Sequence, residues 1–179
     1  MDDYTLRSTK TGRSSRARRA ADIALIVLLA VGLIVLLFKV LLVPVRIGEP
    51  YVGDLRSGDV VLVDRFSKFL SDYKLGDIVR AEPEAGSGEY RVAALGGQRY
   101  EVRGGRAYLD GSLVDESAYS GFWPEDAELS IEIEEDEVLL LPDSREGIGD
   151  LSHFIVLYNS IVGEVRLRVS PISDIALFF

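Results

Sequence analysis

The sequence predicts a β-dominated, essentially all-β domain held outside the cytoplasm by one N-terminal transmembrane helix. Three observations lead there. An unbroken apolar run from Ile23 to Phe38 follows a basic tail. The remainder is a series of short β-branched runs separated by glycine turns. Only the stretch from Phe66 to Tyr73 has helical or turn-like character there.

The basic tail, residues 1–22, carries Arg7, Lys10, Arg13, Arg16, Arg18 and Arg19 against three aspartates. The transmembrane segment is expected over residues 23–43, where Lys39 interrupts the apolar run near one end. At 1.5 Å per residue, about 21 helical residues span roughly 30 Å, the thickness of the hydrocarbon core. Lys39 can snorkel toward headgroups, and Pro44 is expected to end the helix. The run is too long for a signal-peptide core and no small-x-small cleavage site follows it. A buried core helix is disfavoured by six flanking basic residues. Basic residues before the span place the N-terminus in the cytoplasm and residues 44–179 on the far side.

In that body, Gly58-Asp59 and Gly76-Asp77 each feed a strand, at Val60–Val63 and at Ile78-Val79. Tyr90–Val92, Arg99–Arg103 and Ala107–Leu109 are further strands. Asp110-Gly111 before Leu113-Val114 is a strong hairpin signal. Leu129, Ile131 and Ile133 alternate with polar residues, as in a strand with one wet face. An acidic turn at 134–137 precedes a buried strand, Val138–Leu141. Ile161-Val162 and Val165–Val169 close the domain.

Composition excludes several chemistries. The chain has 179 residues, a hydrophobic fraction of 47% and a net charge of −9, so it can build a core. With no cysteine and one histidine, thiol nucleophiles, thiolate metal sites and histidine-rich metal centres are out of reach. The acidic balance, 13 Lys+Arg against 26 Asp+Glu after Pro44, argues against nucleic acid. Glycine pairs 96-97 and 104-105 lack the downstream helix of a phosphate loop and read as turns. No metal or cofactor is expected. The acidic stretch from Glu125 to Glu137 reads as a charged hairpin edge, and His153, beside Phe154, as a structural residue in an apolar neighbourhood.

Six segments, in order, resemble the bacterial type I signal peptidases, serine peptidase family S26. Leu55-Arg56-Ser57-Gly58-Asp59-Val60 is similar to the strand entry that follows the family's Ser-Met-x-Pro-Thr-Leu motif. Lys74–Val79 resembles its second Gly-Asp strand, Tyr90–Gly97 its Lys-Arg-Val segment, and Tyr108–Gly111 its Asn-Gly hairpin. Leu141–Arg145 resembles the Gly-Asp-Asn-Arg box, and Ile161–Val165 the closing Ile-Val-Gly-Lys-Val strand.

The resemblance places the family's nucleophilic serine on Pro50, its methionine on Tyr51 and its lysine base on Tyr90. A serine–lysine dyad needs a desolvated, neutral lysine to take the hydroxyl proton. Pro50 has no nucleophile, and a phenol with a reference pKa near 10 is a poor acceptor at neutral pH. The supporting positions persist: Leu55, Gly58, Asp59, Arg91, Asp143, Arg145 and, a few residues on, Asp150. Ser57 lies seven residues past the expected nucleophile. All four lysines, Lys74 the last, precede the base position, and His153, the base type of eukaryotic-type relatives, follows the Asp143 box.

These departures imply a degenerate signal-peptidase-like protein, anchored in the cell membrane, that binds an extended segment of an exported or surface polypeptide. Relatives lacking the dyad suggest assembly factors, for instance of surface pili. The alternatives are a divergent active signal peptidase with another nucleophile, and a tethered β domain that binds nothing in the old groove. The sequence does not fix the oligomeric state. Tyr51 and Tyr90 are expected to plug the former active site.

Overall fold

The computed structural model describes residues 11–48, 52–53, 55–67, 73–116, 122–170 and 175–178. The chain divides into two compact units, Met1–Val40 and Leu41–Phe179. The first holds helix α1 (Thr11–Leu41). Its stretch Arg18–Leu41, 24 residues with mean hydropathy 3.1, is long and apolar enough to cross a membrane. The apolar residues surround the helix instead of forming one stripe, as suits lipid on all sides. Pro44 does not cap this helix. The helix stops at Leu41 and Pro44 lies inside strand β1 (Leu42–Arg46). The residue before a proline favours extended backbone, and an edge strand tolerates the missing N–H.

The second unit is antiparallel β. One sheet runs β1, β2 (Val60–Asp64), β11 (Gly163–Ser170), β3 (Ile78–Ala81), β4 (Gly88–Leu95), β9 (Glu137–Leu141) and β10 (Ile155–Leu157), with β12 (Ala176–Leu177) added to β11. A smaller sheet orders β7 (Ser112–Leu113), β6 (Arg106–Leu109), β5 (Arg99–Arg103) and β8 (Leu129–Glu132). Strands β1, β10 and β12 were not foreseen from the sequence. Ile161-Val162 is not a strand: Val162 N–H donates to Arg80 O at 2.9 Å just before β11 begins. The segment expected to be helical or turn-like, Phe66 to Tyr73, falls mostly outside the described residues.

The continuous apolar run of β9 has a physical cause. Val138 and Leu140 enter one core with Tyr90, Val92 and Val79, while Leu139 and Leu141 enter a second with Tyr100, Trp123 and Leu151. A strand buried on both faces has no wet side to alternate toward. In β4 a register shift between Val92 and Ala94 breaks the alternation, so Val92 packs in the first core and Ala94 in the second. A third core joins Val52 and Leu55 to Val61, Val63, Ile78 and Val165. Gly163 is required by close approach, since a Cβ there would lie 2.4 Å from the Asp64 carbonyl oxygen. The 110-111 hairpin forms as expected, with φ of +49° at Asp110 and +80° at Gly111.

Candidate functional site

The two Gly-Asp pairs build the same turn twice. Asp59 N–H donates to Arg56 O at 3.0 Å while its carboxylate accepts from Arg56 N–H at 3.0 Å. Asp77 and Lys74 repeat this at 3.1 and 2.8 Å. Gly58 and Gly76 have φ of +92° and +91°, which explains a glycine directly before each aspartate. Both aspartates therefore set strand entry. Asp59 is buried and also faces Arg168 Nη1 at 3.4 Å. Ser57 stands exposed in the first of these turns and Lys74 in the second.

Arg91 connects three distant parts of the chain. Its Nε and Nη2 donate to Asp143 Oδ1 and Oδ2, both at 2.8 Å, and its Nη1 donates to Gly76 O at 3.0 Å. Asp143 Oδ2 also accepts from Gly53 N–H at 2.9 Å. Gly53 lies in the loop where the sequence expects the nucleophile motif. Val52 and Leu55, fully buried on either side, anchor that loop in the third core. Asp143, 2% exposed, thus fixes the loop by a charge-assisted bond while its charge is balanced by a bidentate arginine. Pro50, Tyr51 and Asp54 lie outside the described residues, as does any contact between Tyr51 and Tyr90.

Tyr90 is 1% exposed and belongs to the first core. Its hydroxyl donates to Gly86 O at 2.7 Å, and its ring meets Phe154 edge-on at 6.4 Å. Arg145, only two residues from Asp143, turns away from this group. It donates to Pro142 O and, at 2.7 Å, to Glu116 Oε1, with its guanidinium over the Trp123 ring. Arg145 therefore braces the second core. Burial and Glu116 raise the Tyr100 phenol beside it far above its ordinary value.

Asp150 is exposed and accepts from Ser152 N–H, at the start of a 3-10 turn, at 2.8 Å. The Ser152 backbone and hydroxyl bonds lower its pKa. His153 is not in an apolar neighbourhood. It is half-exposed, with Nδ1 3.2 Å from Glu84 and Nε2 3.8 Å from Asp150. Two surface loops supply its polar partners.

The sequence reading missed Glu164, which takes the place of the lysine in the closing Ile-Val-Gly-Lys-Val segment. It is 5% exposed and 2.8 Å from Arg166, and lines a cavity of about 230 Å³ with Asp77 and Arg91. Burial first, and then Asp77, push its pKa up to about 7. That substitution was the signal available in the sequence.

Fold and site together define a β-domain protein with one apolar N-terminal helix and a loop locked by a buried arginine–aspartate pair. Residues 20–169 match the family model of signal peptidases, peptidase S26, and the chain belongs to that family. A signal peptidase I of Bacillus amyloliquefaciens is 23% identical over 175 residues, 91% of this chain and 95% of that protein. A solved signal peptidase I from Enterococcus faecalis aligns with a TM-score of 0.42 and 18% identity, over 52% of this chain and 96% of that one.

Proposed function

We propose that this chain is a membrane-anchored member of the signal peptidase family that lacks peptidase activity and holds an extended segment of an exported or surface polypeptide. The observation that carries this reading is Tyr90. At the position the resemblance gives to the base stands a phenol, buried in a hydrophobic core with its proton committed to Gly86 O. A phenol with a reference pKa near 10, its proton already donated, does not accept one from a hydroxyl nucleophile at neutral pH. The support around it is retained in Arg91, Asp143 and the Gly53 backbone. A scaffold kept without its chemistry favours binding over cleavage.

The binding mode follows from the sheet. Strand β4 pairs with β3 over Gly88–Arg91 and with β9 from Arg91 onward, within a sheet whose outer strands are β1 and β10. An extended peptide adds to a sheet through main-chain hydrogen bonds, with pockets that read alternate side chains. In this reading the tail of residues 1–22 is cytoplasmic, the helix crosses the membrane from residue 23 to its end at Leu41, short of the expected residue 43, and the rest of the chain faces outward. Subunits of surface pili are the client class the resemblance suggests.

The test is incubation of the full-length protein in liposomes with an exported precursor, beside an active signal peptidase. No processing by the natural protein is the expected result. Specific cleavage would overturn the proposal in favour of a divergent peptidase, and a serine scan starting at Ser57 would then locate its nucleophile. The variant Pro50→Ser with Tyr90→Lys tests whether the remaining support still accommodates the dyad.

A further inference from the structure

Strand β11 has two edges, and part of one is completed by β12. At Leu167 and Arg168 the first edge is taken by Leu62 and Val61 of β2. The second edge belongs to β3 at Gly163 and Glu164, opposite Arg80 and Val79. Farther along, that same edge is filled by β12, with Leu177 opposite Leu167 and Ala176 opposite Arg168. Phe178 N–H then donates to Arg166 O at 2.8 Å. Strands β12 and β3 therefore lie end to end on one edge, both antiparallel to β11. A cavity of about 230 Å³ lies where they meet, lined by Leu177 and Phe178 together with Asp77, Arg91 and Val165.

Strand β12 is held lightly. Its ladder has two residue pairs, and Ile175 and Leu177 are 58% and 60% exposed. Phe178, half-buried, packs against the third core. That core carries Val52 and Leu55, which flank the Gly53 that Asp143 ties to Arg91. Ordering even a few backbone residues costs conformational entropy comparable with what so few hydrogen bonds and one half-buried ring return. A strand so balanced gives way to a competitor, yet while in place it covers an edge that would recruit unintended chains.

We propose that residues 175–178 stand in for the client: the extended segment adds to β11 at Arg166–Arg168, antiparallel, by displacing β12. This assignment rests on the proposed binding of an extended polypeptide, and gives that binding a place and a control. The register sets the chemistry of the segment recognised. A large apolar side chain takes the Phe178 position against the third core, and a small one takes the Ala176 position two residues earlier. The residue between them points to solvent, as Leu177 does. An edge left free by β12 for about a tenth of the time weakens apparent binding about tenfold.

The chain has no cysteine, so Leu167→Cys with Leu177→Cys places one disulfide between directly opposed positions and locks β12 down. Phe178→Pro does the reverse, removing both the ring and the N–H that bonds Arg166 O. The probe is a fluorescent peptide of residues 173–179, read by anisotropy against the full-length proteins in zwitterionic detergent. Phe178→Pro is expected to bind it about tenfold tighter than the natural protein does, and the oxidised lock not at all until reductant is added. Within the peptide, Ala176→Asp with Phe178→Asp should abolish binding, whereas Leu177→Asp should leave it unchanged. Equal binding by the natural, Phe178→Pro and locked proteins, or binding by none, overturns the inference. So does a disulfide that joins two copies, which would make this edge a site of strand exchange between them. An exported precursor, offered to the lock before and after reduction, separates the two claims. Precursor held equally in both states overturns the inference and leaves the binding proposal standing; precursor held in neither state, nor by the natural protein, overturns both.

Discussion

Removing the Asp143 carboxylate tests the loop lock directly. In Asp143→Ala, Arg91 loses both carboxylate bonds and Gly53 N–H loses its acceptor. The Arg91 side chain is only 12% exposed, so water restores little of its solvation. Breaking one side of a buried pair typically costs about 3–5 kcal/mol, and the orphaned Gly53 N–H falls within that sum. The assay is urea unfolding of the full-length protein in micelles, followed by Trp123, the only tryptophan and 3% exposed. With a slope near 2 kcal/mol per molar, the midpoint should fall by about 2 M. Asp143→Asn keeps the shape and one of the two acceptor oxygens, turns an NH2 donor toward the remaining N–H groups, and should lose less than the alanine variant. Arg91→Ala alone should cost a comparable amount, and the double variant less than the sum. A midpoint shift below about 0.3 M, or strict additivity of the two single variants, would refute the lock.

Other expectations are more local. Glu164 rises from 4.5 to about 7 in the folded state, so the native state holds its proton longer than the unfolded chain. Its contribution to stability is complete below pH 4.5, declines as pH rises to about 7 and is lost above that. The full displacement corresponds to about 3 kcal/mol, and screening by solvent reduces it to about 1–2 kcal/mol. Glu164→Gln should therefore match the natural protein near pH 4 and exceed it by about that amount at pH 8, in the same urea titration; equal stability at both pH values would contradict this. Gly163→Ala forces a methyl into the Asp64 carbonyl and should cost about 1–3 kcal/mol, visible as a lower melting temperature by circular dichroism. Tyr90→Phe leaves the ring packed but strips Gly86 O of its donor, and a loss of about 1 kcal/mol is expected; no change would show that the hydroxyl contributes nothing to the core.

Much of the architecture was legible because it is local. Strand β5 falls on Arg99–Arg103, as the alternation there implies, and the Asp110-Gly111 hairpin needs only two residues with positive φ. Strands β1 and β10 were hidden for opposite reasons. Leu42–Arg46 continues the apolar run of the helix without a break in composition, and Ile155–Leu157 is too short to show a period. His153 was misplaced because neighbours in sequence are apolar while its partners in space, Glu84 and Asp150, come from separate loops.

By itself the sequence determined the membrane-length helix and the β-dominated body, and its resemblance to the family is the ground for proposing that serine and lysine are absent from their expected positions. Those properties depend on residue type, period and order along the chain. Tertiary structure alone decided which surviving residues act together. Gly53 and Asp143 are 90 residues apart, and Arg91 and Asp143 are 52 apart, yet they form one hydrogen-bonded group. Arg145, adjacent but one to Asp143, serves another core. Sequence separation carries no information about such meetings, because strand pairing between distant segments and the register shift in β4 set which side chains face one another.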